Sequence, residues 1–263
     1  MARIYTIVNQ KGGVGKTTTA INLSAYLGMY NQNVLIVDLD SQANATSCLG
    51  VDKRTIKSGT YEVIIGATAI GPQILRNPRF KMSLLPSSPA LAGAEVELKD
   101  ITEREFRLKN ALTAVAGRYD YIIIDCPPSL SLLTINGLVA AQSGVIIPVQ
   151  CEYLALEGLG QLSQTLNKVR STILPDLVVR GVLLTMFDSR TNLANDVVSE
   201  VHKFFPNQVF KSIIPRNIRL AEAPSYGQPI TIYAPDSSAA KAYHSLALEI
   251  LEQDGVSIPQ TNH

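Results

Sequence analysis

The segment Asn9–Thr18, NQKGGVGKTT, carries the residues with the most defined chemistry. Its second half is the end of a phosphate-binding loop of the pattern G-x-x-x-x-G-K-[ST]. Gly12, Gly13 and Gly15, with Val14 between them, let backbone N–H groups curl around a phosphate without side-chain clash. Lys16 is placed to reach β- and γ-phosphates, the Thr17 hydroxyl to ligate Mg²⁺, and Thr18 to extend the cradle towards the α-phosphate. The first half departs from the pattern: Gln10 stands where glycine is expected, and Lys11 follows it. Two ammonium groups in one small loop repel each other unless phosphate lies between them. Lys11 precedes the glycines, so its side chain is expected to point away from its own loop. Its use would then be across an interface, reaching the phosphates of a second copy as an arginine finger does. The plainer alternative is a solvated surface lysine.

Two acidic sites belong with this loop. VLIVDLD ends with Asp38 and Asp40, and YIIIDCPP carries Asp125 after an aliphatic run. In open α/β sheets, ligands bind outside the carboxyl ends of the strands, so all three acids should share an edge with the loop. Asp125 fits an acid that holds Mg²⁺ directly or through water, and Asp40 is a candidate to orient an attacking water. Asp38 and Asp40 compete for one catalytic role, and either could be structural. An acid at a strand end can also be only a turn former or helix cap.

These residues need a particular frame. Aliphatic runs recur at 3–8, 33–40, 81–87, 119–128, 143–150 and 178–187, separated by segments with helical spacing. In 16–30 the residues Ala20, Leu23, Leu27 and Tyr30 fall on one face; in 154–174 Leu159, Leu162, Leu166, Val169 and Ile173 do. Helical patterns also cover 192–204 and 237–252. Several strands, such as Ile122–Ile124 and Val145–Ile147, are apolar without alternation, as strands covered on both faces are. The expectation is an α/β fold: a single domain over 1–254 with a twisted, mostly parallel sheet flanked by helices, and a flexible tail over 255–263. The loosest stretch is 50–80, with several small helical pieces.

Composition agrees. Of 263 residues, 46% are hydrophobic and 17% charged; Trp is absent, so the core must be mostly aliphatic. The formal net charge of +1 gives no global pull towards a polyanion, so any such site is a local patch. Cys48, Cys126 and Cys151 are few, odd in number and without a CxxC, which points away from a disulfide framework and towards a reducing cytosol. The N-terminal apolar run is too short for a signal peptide, and no apolar stretch is long enough to span a membrane.

KGGVGKTT is a deviant Walker A motif, and the chain resembles ParA/Soj-type chromosome- or plasmid-partitioning ATPases. The likeness extends through VLIVDLDSQANAT, YDYIIIDCPPSL and PVQCEYLALEGL to TMFD and IPRNIRLAEAPSYGQPI. The resemblance implies a Mg²⁺-dependent ATPase that forms an ATP-dependent homodimer, binds DNA non-specifically, and is released when a ParB-type partner stimulates hydrolysis, in the cytoplasm at the nucleoid. It implies that Lys11 contacts nucleotide across the dimer, that Gly12 lies at the close dimer contact, and that Lys16 binds phosphate. Asp40 becomes the acid needed for hydrolysis and Asp125 the acid near Mg²⁺. Pro215 and Asn217 become the adenine contacts, Glu152 a residue near nucleotide and interface, and Arg190 and Arg219 the DNA-binding cations. The family pattern after Asp40 is DPQGNAT; here Ser41 replaces the proline and Ala43 the glycine. Dimerisation would bring basic residues of 180–219 from both copies onto one surface, making up for their modest excess over acids.

Three other readings share the loop. A membrane-associated positioning ATPase of the MinD type needs a basic amphipathic C-terminal helix, whereas 237–252 has one lysine, Lys241, against Glu249 and Glu252. An iron–sulfur carrier needs paired exposed cysteines. A non-enzymatic ATP-gated DNA-binding module would lack turnover. His202, His244 and His263 are scattered and carry no catalytic assignment.

Overall fold

The computed structural model describes residues 2–77, 82–152 and 155–257, with backbone alone at 155–159. Seven strands, β1 (Arg3–Ile7), β2 (Val34–Asp38), β3 (Leu75–Asn77), β4 (Met82–Leu85), β5 (Tyr121–Asp125), β6 (Gly144–Gln150) and β7 (Val179–Thr185), form one sheet. Its order is β3-β4-β2-β5-β1-β6-β7. Every pairing is parallel except β3–β4. The helices are α1 (Lys16–Met29), α2 (Asn44–Cys48), α3 (Thr60–Ile65), α4 (Ala94–Glu97), α5 (Arg107–Thr113), α6 (Leu132–Ala140), α7 (Ala155–Thr172), α8 (Asn192–Phe204), α9 (Ile218–Glu222), α10 (Ile230–Tyr233) and α11 (Ser238–Gln253).

Successive strand residues point to opposite faces, and both faces are buried. Ile122 and Ile124 pack with Val63, Leu108, Leu138, Leu166 and Val197, from α3 and α5–α8. Tyr121 and Ile123 pack with Leu23 and Leu27 of α1 and Tyr243, Leu246 and Ile250 of α11. This two-sided cover explains the unbroken apolar runs. α11 therefore lies against α1, burying Ala239, Tyr243, Leu246 and Ile250 in the core.

The expected strands and helices are present to within a few residues at each end. β3 was not expected: LRN is short and polar, and it sits at the sheet edge, where no second neighbour demands apolar side chains. In the expected tail, Val256 N–H bonds to Leu251 O at 2.9 Å and the side chain packs on the core; positions 258–263 lie outside the described residues, as does Lys81 in the expected strand 81–87 and the side chain of Leu159 in α7.

Candidate functional site

The glycine-rich loop runs from β1 into α1 and is pinned by its neighbours. Asn9 is the first pin: its Nδ2 donates to Pro148 O of β6 at 2.7 Å, and its Oδ1 accepts Lys11 N–H at 3.0 Å. Thr185, ending β7, is the second, donating its hydroxyl to Val14 O at 2.9 Å. Gly13 (φ 75°) and Gly15 (φ 91°) take the left-handed turns that curl the loop before α1 begins. Lys16 is buried, and its ammonium donates to Lys11 O at 2.9 Å, closing a ring across the loop. Burial lowers the Lys16 pKa, while Asp125, Cys126 and Asp40 oppose the shift. The Lys11 ammonium has no ion pair or hydrogen bond among the described residues, and Lys11 is absent from the cavity wall formed by Gly12, Gly13, Gly15, Lys16, Thr17 and Thr18.

The three acids reach the loop edge and behave differently there. Asp38, at the end of β2, is fully buried; Oδ2 accepts Thr46 N–H at 2.8 Å and Thr46 Oγ1 at 2.7 Å, and Oδ1 accepts Asp40 N–H at 3.2 Å. Burial pushes its carboxyl up to about 6, against the pull of those bonds. These bonds tie the end of β2 to α2. Asp40 instead lines the cavity; one oxygen accepts Gln42 N–H at 2.9 Å, and its carbonyl accepts Ser87 Oγ at 2.7 Å. Asp125, at the end of β5, is fully buried, and neither carboxylate oxygen has a hydrogen-bond partner of regular geometry among the described residues. Burial pushes its carboxyl well above the usual range, helped by the charges of Asp38 and Asp40; the nearby Thr17 hydroxyl and Lys16 ammonium oppose this.

Orphaned buried carboxylate oxygens are costly unless something completes them. Among the described residues no cluster of three or more His, Cys, Asp or Glu could cage a metal. One carboxylate and one hydroxyl, Asp125 and Thr17, suit a hard cation that keeps waters and takes its other ligands from substrate phosphates, as Mg²⁺ does.

Two cavities meet at the loop. One, about 310 Å³, is lined by the loop with Asp40, Cys48, Pro224 and Gln228. The other, about 370 Å³, is walled by Ile214, Pro215, Arg216, Asn217, Ile218 and Tyr243. Both include Gly15, Thr18, Met186 and Leu220, so they form one trough with an end lined by the glycine-rich loop and a mainly apolar end. Pro215 and Asn217 thus line the mainly apolar end. Asn217 also caps α9, accepting Arg219 N–H at 2.9 Å, and its Nδ2 donates to Ser238 Oγ at 3.1 Å. Glu152 stands beside this end, paired through Oε1 with Arg216 Nη2 at 2.8 Å. Arg190 and Arg219 are exposed and outside the trough; each holds a carboxylate, Asp188 and Glu222 respectively.

Asn9, Ser87, Thr185 and Met186 were not singled out from sequence. Asn9 precedes the loop directly, which is a usable local signal; Thr185 and Ser87 reach the site only through strand order. Met186 is at φ 52°, strain in a residue that walls both halves of the trough. Cys126 is a packing residue: a methyl group at Gly137 would come 2.6 Å from its Sγ. Cys151 is also buried and Cys48 half-buried, all three as free thiols.

A glycine-rich loop between β1 and α1, with acids at the ends of β2 and β5, defines a P-loop nucleoside triphosphatase domain. Residues 2–179 match the AAA domain family. The chain is 51% identical over 250 residues, 95% of its length and 98% of the relative's, to the sporulation initiation inhibitor protein Soj of Bacillus subtilis (strain 168). It is 49% identical over 260 residues, 99% and 92% of the two lengths, to the chromosome partitioning protein ParA of Myxococcus xanthus (strain DK1622). The chain belongs to the ParA/Soj family of chromosome-partitioning ATPases. Among solved structures, cobyrinic acid a,c-diamide synthase from Mycobacterium smegmatis with bound ADP and magnesium is 38% identical with a TM-score of 0.85, covering 100% of both chains. The septum site-determining protein MinD from Pyrococcus horikoshii, complexed with Mg-ADP, is 27% identical with a TM-score of 0.78, covering 97% and 98%. Among the described residues no helix is long and apolar enough to cross a membrane.

Proposed function

We propose that this chain is a Mg²⁺-dependent ATPase of DNA segregation, in which ATP clamps two copies together and the dimer then binds DNA without sequence preference. Hydrolysis, stimulated by a ParB-type partner, releases the DNA. The site of action is the cytoplasm, at the nucleoid. The observation that carries the reading is the buried Asp125 carboxylate, which has no hydrogen-bond partner of regular geometry among the described residues and lies near Thr17 and Lys16 at the start of α1.

The residues divide the work as follows. Lys16 leaves the Lys11 carbonyl for the β- and γ-phosphates, and the N–H groups of Gly12–Thr18 follow their oxygens. Bound Mg²⁺ would be held by Thr17 and Asp125 and would draw charge from the phosphates as the bond to the γ-phosphorus breaks. Asp40 orients the attacking water with the carboxylate oxygen not used by Gln42. Asp38 takes no part, because its oxygens are committed to Thr46 and Asp40 N–H. Pro215 and Asn217 flank the base, with Arg216 and Glu152 at its outer edge. Lys11, whose ammonium has no partner among the described residues, reaches the phosphates of the second copy, near the close approach of Gly12.

The test is size-exclusion chromatography of Asp40→Ala with and without Mg-ATP, followed by a DNA shift on each peak. A dimer that forms only with ATP, persists and retains DNA is expected. A variant that stays monomeric, or hydrolyses at the wild-type rate, defeats the reading. Lys11→Ala should then remain monomeric while still binding ATP.

A further inference from the structure

The segment 180–219 holds six cations, Arg180, Arg190, Lys203, Lys211, Arg216 and Arg219. Among the described residues, all but Lys211 are paired with a carboxylate: Arg180 with Asp254, Arg190 with Asp188, Lys203 with Glu200, Arg216 with Glu152 and Arg219 with Glu222. A surface meant only to attract a polyanion would leave its arginines bare. Here the two most relevant ones are filled.

The Arg190 pair is bidentate. Nε donates to Asp188 Oδ1 at 2.8 Å and Nη2 to Oδ2 at 2.6 Å, although the arginine side chain is 85% exposed. Asp188 is held in place by its own turn, accepting Arg190 N–H at 3.1 Å. Glu222 is likewise anchored: Oε2 accepts Arg219 Nη1 at 2.9 Å and the Tyr233 hydroxyl at 2.9 Å. The Arg190 side chain holds the Asp188 carboxyl down to about 2. Tyr233 and Arg219 together hold Glu222 below its usual range. Both stay ionised at any physiological pH. Two anions, each fixed by a further bond, thus sit on the arginines assigned to DNA, Asp188 across the whole Arg190 fork and Glu222 through one oxygen on Arg219 Nη1. A guanidinium fork accepts carboxylate and phosphate oxygens in the same geometry.

We propose that Asp188 and Glu222 act as built-in phosphate mimics that hold Arg190 and Arg219 neutralised until the backbone of duplex DNA displaces them. The proposal rests on the DNA-binding reading and specifies how that surface is regulated. Exposed ion pairs of this kind contribute little net stability, so the exchange is reversible. It costs affinity, because each displaced carboxylate remains beside the phosphate and must take up a cation. A single subunit therefore binds weakly, and two subunits side by side are needed to tip the exchange.

The experiment compares wild type, Asp188→Asn/Glu222→Gln and Arg190→Ala/Arg219→Ala, each loaded with Mg-ATP, by fluorescence anisotropy on random-sequence duplex DNA across a salt series. An amide oxygen at either position still accepts the Arg190 N–H or the Tyr233 hydroxyl, so the turn and α9 persist; melting midpoints within about 2 °C of wild type verify this. The neutralised pair is expected to bind about tenfold more tightly at low salt. Its plot of log affinity against log salt should steepen by about one to two units, since no cations are taken up on binding. The arginine pair should lose binding. If the neutralised pair matches wild type in affinity and slope while the arginine pair loses binding, the mimicry is wrong and the DNA surface stands. If neither wild type nor any variant retains DNA at low salt, the DNA reading fails and the mimicry with it.

Discussion

Strand β5 begins at Tyr121 and ends at Asp125, and its two ends handle buried charge in opposite ways. At the amino end, the Asp254 side chain is only 6% exposed yet surrounded by donors: Tyr5 OH at 2.6 Å, Tyr121 OH at 2.9 Å and Arg180 Nη2 at 2.8 Å. Arg3 stands 3.7 Å away and also bonds the Asp254 carbonyl at 2.6 Å. Burial, reinforced by this carboxylate, raises the pKa of both tyrosines, keeping them neutral donors. At the carboxyl end, Asp125 is just as deep and has no hydrogen-bond partner of regular geometry among the described residues. The first arrangement clasps the end of α11 to β1, β5 and β7. The second stores an electrostatic cost that a cation and a triphosphate would relieve. In the function proposed above, stability and catalysis are thus separated along one short strand.

The most severe test of this contrast removes each charge in turn. Asp125→Asn should lower hydrolysis by at least about 100-fold, because a metal contact supplies several kcal/mol of transition-state stabilisation. The same change should raise the stability of the ligand-free protein by about 1 kcal/mol, since a buried amide costs less than an unpaired carboxylate. Phosphate release and thermal melting in the absence of nucleotide measure the two effects. Asp254→Ala should do the reverse. It strands Arg180, whose Nε is already without a partner among the described residues, and should cost about 3–5 kcal/mol of stability, with turnover per folded molecule within about twofold of wild type. Equal stability losses in both variants would remove the distinction between the two ends.

Asp38 refines the contrast, lying at the functional end but bonded like the structural one. Its carboxyl is raised to about 6 from an ordinary value near 4. Between about pH 4 and pH 6 the folded protein keeps a proton that the unfolded chain has released. Stability attributable to Asp38 is therefore complete below about pH 4 and falls as pH rises through the folded pKa, by about 2–3 kcal/mol in all. Asp125, raised well above its ordinary value, continues the fall at higher pH. Denaturant midpoints measured from about pH 4 to 6 should decline for wild type, and Asp38→Asn should flatten that limb. A rise in wild-type stability across this window would contradict the burial of Asp38.

What could be seen in the sequence divides along the same line. The loop, Asp40 and Asp125 were legible because each lies inside a short run whose context is local: an apolar strand, a turn, a helix start. The clasp was not, since Arg3, Tyr5, Tyr121, Arg180 and Asp254 meet only when the strand order is known. That Asp38 is bonded away while Asp40 lines the cavity likewise depends on Thr46, eight residues on from Asp38. The partners of Arg190 and Arg219 were near in sequence, two and three residues away, yet a count of charges could not show that they close on one another.

The smallest predicted effect concerns backbone strain at the functional end. Ala43 (φ 51°) and Met186 (φ 52°) both take left-handed backbone conformations beside the trough. Ala43 is fully buried at the start of α2, where its N–H bonds Asp40 O at 2.8 Å and its carbonyl accepts Ser47 N–H at 3.0 Å. The turn that presents Asp40 therefore depends on this conformation, and the family pattern has glycine at the position. A left-handed alanine costs about 1–2 kcal/mol, offset in the glycine variant by about 0.4–1 kcal/mol of extra freedom in the unfolded chain. Ala43→Gly should thus raise stability by about 0.5–1 kcal/mol, a shift of roughly 1–4 °C in melting temperature for a chain of this size, and leave hydrolysis within about twofold of wild type. A lower melting temperature would mean that the alanine methyl contributes more in packing than its backbone loses in strain.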